Sequence, residues 1–132
     1  MIRHEAFVGL RAWPYKLGGR TSAGVDCLGV ALLISNELGN EWRDPWRAFL
    51  DKWQADDAPP LSSTGFPAHW RRVDQAPGAS VQPGDVWVWH TLNDHPTVGI
   101  VRDGLIWTAA PGVGVIALAS NKTTPPDEIW RP

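Results

Sequence analysis

Cys27 is the only cysteine of the chain, and it stands where a helix should begin. Asp26 precedes it, and the run Leu28, Val30, Ala31, Leu32, Leu33, Ile34 follows before Gly39. Aspartate is a favoured N-cap and glycine a favoured stop, so the pattern predicts a helix over Cys27–Leu38 with the thiol in its first turn. A helix start offers unpaired N–H groups and the positive end of the macrodipole, both of which favour a thiolate nucleophile. A free cysteine is only ~3% ionised at neutral pH, and a helix terminus lowers its pKa by at most about 1.5 units. Turnover at Cys27 therefore requires an imidazole partner. The histidines are His4, His69, His90 and His95. His4 and His69 read as surface or capping residues, and no histidine spacing resembles a metal site. A single cysteine excludes an internal disulfide and a multi-thiolate zinc site. No cofactor is implied.

The elements that must position these groups follow from periodicity. Ile2, Ala6, Phe7 and Leu10 predict a helix over Ile2–Ala12, and the Pro/Gly-rich stretch Trp13–Val25 reads as a loop. The predicted Cys27 helix is apolar nearly all round, which places it in the middle of a domain. Asp44-Pro45 supplies an N-cap and first-turn pair for a short helix to about Gln54, and Ala55–Thr64 reads as a loop. His69–Val73 fits a short helix or an extended segment equally. From Gln82 onward the pattern is that of strands: Asp85–His90, Thr97–Arg102, Leu105–Ala109 after the Asp103-Gly104 turn, and Gly112–Leu118. Helices first and antiparallel strands afterwards indicate an α+β fold, with N-terminal helices packed on a small antiparallel sheet.

At 132 residues the chain reads as a single domain, residues 1–132. The net charge of −2 gives no electrostatic reason to bind nucleic acid or an anionic membrane. No apolar run approaches ~18 residues, and charges stand where a signal peptide would have its apolar region, so a soluble protein made in the cytoplasm is expected. Nine tryptophans accompany one tyrosine and three phenylalanines. They fill a small core on one reading, and on another some of them line a glycan- or protein-binding surface.

PYKLGG at Pro14–Gly19, GVDCLGV at Gly24–Val30, QPGDVWVW at Gln82–Trp89 and VGIVRDG at Val98–Gly104 follow one another as in the NlpC/P60 family, which the chain resembles from about Pro14 to Val115. The resemblance implies a papain-like cysteine peptidase that cuts peptidoglycan stem peptides. The short single-domain form looks like the version found in phage tails, so a virion location and other tail proteins as partners are also implied. Cys27 matches the nucleophile, Tyr15 an aromatic hydroxyl beside it, and Asp26 the acidic residue before it. Asp26 is equally well explained as a helix cap.

The chain departs from the family at both usual histidine positions. Thr97 stands directly before VGI, and Thr108 stands after the hairpin where the third polar residue of the family is commonly histidine. Threonine cannot act as a general base at neutral pH. His95, two residues before Thr97, points to the same side of an extended strand and is the candidate base; His90, at the end of the preceding strand, is another. With His95 in place, Cys27 would attack an amide carbonyl and the helix-start N–H groups would steady the oxyanion. His95 would then protonate the leaving amine and activate water, oriented by Asn93, Asp94 or Thr108. Without a base, the fold would be a catalytically degenerate structural component of a tail tip or hub. An acyltransferase or amidase on the same scaffold is a third reading.

Overall fold

The computed structural model describes residues 9–47, 65–73, 81–90 and 96–132. A 3-10 turn at Leu10–Ala12 leads to a hairpin of β1 (Arg20–Thr21) and β2 (Gly24–Val25), and the helix α1 spans Cys27–Glu37. Then come β3 (Arg71–Val73), β4 (Val86–His90), β5 (Pro96–Arg102), β6 (Leu105–Ala110), β7 (Gly114–Ala119) and β8 (Glu128–Arg131). Strands β3 to β8 form one antiparallel sheet in the order β3-β8-β4-β5-β6-β7. The described chain is thus mixed α+β and mostly β, with a single α-helix among the described residues. No described helix is long and apolar enough to cross a membrane.

Helix α1 forms where expected. The Asp26 carboxylate caps it by accepting from the Gly29 N–H at 2.7 Å, and Gly39 follows the end with a φ of 88°. Leu28, Val30, Ala31 and Ile34 are fully buried and pack with Val86, Val88, Val98 and Ile100 on one face of the sheet. The other face gathers Trp87, Val101, Ile106 and Ile129, with Trp89 and Val73 against them. Period-2 alternation along β4 and β5 accounts for this division.

Several expectations need correction. The helix expected over Ile2–Ala12 is represented by a 3-10 turn at Leu10–Ala12, and residues 1–8 lie outside the described residues. Of the N-terminal helices expected, α1 is the one the described residues contain, and the stretch Trp13–Val25 that reads as a loop includes the β1–β2 hairpin. That hairpin depends on close backbone approach. A Cβ on Gly19 would lie 2.2 Å from the Gly24 carbonyl oxygen, and one on Gly29 would lie 2.8 Å from the Gly19 oxygen. The Asp44 carboxylate accepts from the Trp46 N–H at 2.9 Å, as an N-cap would, but the predicted helix runs past residue 47 into residues outside the description. His69–Val73 resolves in favour of a strand over Arg71–Val73. The C-terminal segment is β8, an inner strand between β3 and β4, pinned by the Arg131 guanidinium on the buried Asp85 carboxylate at 2.8 Å for each contact. At the predicted Asp103-Gly104 turn, positive φ values of 53° and 75° fit a type I′ connection.

The tryptophans are chiefly packing residues. Trp42, Trp46, Trp70, Trp87 and Trp107 are buried. Trp42 stacks on Phe66 at 5.2 Å and Phe66 on Trp130 at 4.6 Å, which closes the end of the helix–sheet layer beside β8.

Candidate functional site

The residues around Cys27 are brought together by the loop before α1. Pro14 accepts from the Val25 N–H at 3.0 Å and Lys16 donates to the Val25 carbonyl at 3.1 Å, so Tyr15 lies alongside Val25, two residues before Cys27. Asp26 is fully buried and satisfied. Its carboxylate accepts from Gly29 N–H, from Gly18 N–H at 2.9 Å and from Arg20 at 2.8 Å, while Arg20 also holds Asp44 at 2.7 Å. These bonds explain the residue through structure alone: it caps α1 and ties the loop to it.

Cys27 is buried in turn, 8% exposed, and its thiol donates to the Pro96 carbonyl at 3.8 Å. Burial pushes the thiol pKa up to about 12, and the Asp26 charge adds to the shift. The backbone N–H groups of Val98, Leu28 and Cys27 oppose it but do not prevail. This is the balance expected when a helix start acts without a cation: its contribution is at most about 1.5 units, and desolvation of an anion is larger. Burial also pushes Tyr15 up to about 12, aided by the charges of Cys27 and Asp26. Tyr15, Asp26 and Cys27 are therefore mutually close, and the Asp26 charge disfavours ionisation of both the thiol and the phenol.

Among the described residues, the side chains expected as partners, those of Thr97, Thr108 and His90, do not meet this cluster. Thr97 pairs with Trp89 across the ladder and shares its face with Gly99 and Val101, opposite to the face of Val98 that packs with α1. Val98 and Ile100 are buried against α1, and the alternation along the strand then turns residue 97 to the other face. Thr108 is on that same far face, two residues from Ile106, and its hydroxyl donates to the Val98 carbonyl at 2.7 Å. It approaches Cys27 only through Val98, so it serves the ladder rather than an imidazole. Thr108→Val should cost about 1–2 kcal/mol, the usual result of orphaning a buried carbonyl. Urea unfolding of the variant checks this, and an unchanged midpoint would refute the role.

His90 pairs with Pro96 at the end of the β4–β5 ladder. Its imidazole is exposed and bonds the Glu128 carboxylate, while the His90 backbone N–H donates to the Asp127 carboxylate at 2.6 Å. Glu128 thus claims the ring where β4 ends beside β8, a partner that only the placement of β8 reveals. His95, Asn93 and Asp94 lie outside the described residues, as does His4. Among the described residues no His/Cys/Asp/Glu group could hold a metal ion. A groove of about 560 Å³ runs along α1, lined by residues that include Arg20, Leu32, Leu33, Asn36, Trp42 and Arg47; Cys27 is not among them. No family model matches the chain, and no curated protein matches it.

Proposed function

We propose that this chain is an NlpC/P60-like, papain-like domain of cysteine-peptidase ancestry that serves as a structural component of a phage tail tip or hub, without peptide cleavage at Cys27. One observation carries the absence of cleavage: the thiol is enclosed against the Pro96 carbonyl, with Asp26 as its charged neighbour and a pKa raised to about 12. A nucleophile needs the reverse, an accessible sulfur beside a cation or base. The ancestry rests on the motif order and on Tyr15 and Asp26 standing beside Cys27 as the family pattern implies. The burial of most tryptophans suits a scaffold, and the tail location rests on the resemblance alone.

A second reading has one observation in its favour. The carbonyl that touches the thiol belongs to Pro96, and the residue before it in the chain is His95. If His95 serves as the base, the protein is a murein endopeptidase. Digestion of purified muropeptides by wild type and by Cys27→Ala, followed by mass spectrometry, separates the two readings. We expect no products from either protein between pH 6 and pH 9. Products from wild type that vanish in both Cys27→Ala and His95→Ala would establish the endopeptidase.

A further inference from the structure

We infer that the outer edge of β7, unpaired by any described strand, pairs antiparallel with β7 of a second copy of this chain, about a twofold axis through Leu118. Among the described residues strand β7 ends the sheet, with β6 on one side only. N–H groups along a strand point alternately to its two edges. The Val115 N–H donates outward, to the Trp13 carbonyl at 3.2 Å, so the backbone groups of Ala117 and Ala119 point outward too. No backbone group among the described residues bonds them there. Ile116–Ala119 is half-exposed, and Gly114–Ala119 carries no charge and no proline. Natural edges usually carry such features to block pairing.

The geometry of this edge favours a second copy over a foreign strand. The open stretch is bounded by Trp13, which covers the edge at Val115, and by the 3-10 turn Ser120–Lys122, where the chain leaves the strand. A longer strand passing Ala117 would run into Trp13. A second β7, antiparallel and centred on Leu118, turns away at Ser120 before reaching that obstacle. In this register Ala117 and Ala119 of each copy exchange their N–H and carbonyl bonds with Ala119 and Ala117 of the other. Leu118 faces its own counterpart on the face that holds Ile106, and every side chain in the overlap is apolar or small. The contact is isologous and closes as a dimer rather than propagating. It holds whether or not Cys27 reacts.

Sedimentation velocity of the full chain from micromolar to millimolar concentration tests this, with a reversible monomer–dimer shift expected. Ala117→Pro removes an outward N–H that the β6–β7 ladder does not use, and should weaken association about tenfold or more. Leu118→Lys sets like charges face to face and should do the same, which guards against a fold defect in the proline variant; far-UV circular dichroism checks both. Leu118→Cys should yield an intermolecular disulfide on oxidation, since Cys27 is buried and directly opposed residues of this type lie close. A chain that stays monomeric throughout overturns the proposal. So does a dimer that survives both substitutions, or one in which Leu118→Cys fails to cross-link.

Discussion

Asp26→Ala should remove about 3–5 kcal/mol of folding free energy, the usual consequence of deleting one member of a buried ion pair. The side chain is fully buried and accepts from two backbone N–H groups, of Gly29 and Gly18, and from the Arg20 guanidinium. Alanine leaves those N–H groups without their acceptor at the start of α1, and leaves Arg20 with Asp44 alone. Domains of this size have about 5–15 kcal/mol to lose, so much of the population would unfold under mild denaturant. Asp26→Asn should lose less, because an amide oxygen can still cap Gly29 while the charge is gone. It should also bring the Cys27 pKa down, since the Asp26 charge is one of the causes that raise it. Urea titrations with matched slopes measure the first effect. A cost under about 1 kcal/mol for alanine would show that the loop before α1 is held by something other than this carboxylate.

Much of the framework was legible because its signals are local. The Asp26 cap, the apolar run after Cys27 and the stop at Gly39 lie within one helix. The Asp103-Gly104 turn announces its hairpin through residue types alone. What escaped the sequence is non-local. β8 is short and ends in charged residues, and its place between β3 and β4 rests on partners far away, such as Asp85 for Arg131. The same separation hid Glu128 as the partner of His90. The β1–β2 segment reads as a loop because its hairpin rests on the contact of Gly19 with the Gly24 backbone, not on a strand-like composition. At the site, the sequence gives the parity of β5 but not which parity faces α1, since Val98-Gly99-Ile100-Val101 is apolar on both sides. Packing against α1 decides it, and the decision takes Thr97 away from Cys27. The proximity of Tyr15 and Asp26 to the thiol follows from chain adjacency and one short bridge, which is why the cysteine half of the pattern was the legible half.

Stability should fall steeply with alkaline pH, and Cys27 should be the principal cause at the onset. The folded thiol is raised from an ordinary value of 9.0 to about 12, by burial first and the Asp26 charge second. The folded state therefore holds its proton where the unfolded chain has begun to release it. The sign follows: this contribution is fully present below about pH 9 and is lost as pH rises toward 12. Each unit in that window costs about 1.4 kcal/mol, roughly 4 kcal/mol across it. Tyr15, raised from 10.0 to about 12, acts in the same direction above pH 10, though its partial exposure makes the effect smaller. Cys27→Ser isolates the thiol, because serine is close in size and does not ionise in this range. Urea midpoints measured from pH 7 to pH 10.5 should diverge, wild type falling and Cys27→Ser staying nearly level until Tyr15 titrates. Parallel curves would mean that the folded thiol ionises at an ordinary pH, which is the condition for a working nucleophile. The experiment thus bears on function as well as stability: a protein that gains stability from the neutral thiol of Cys27 holds that sulfur in the form that does not attack.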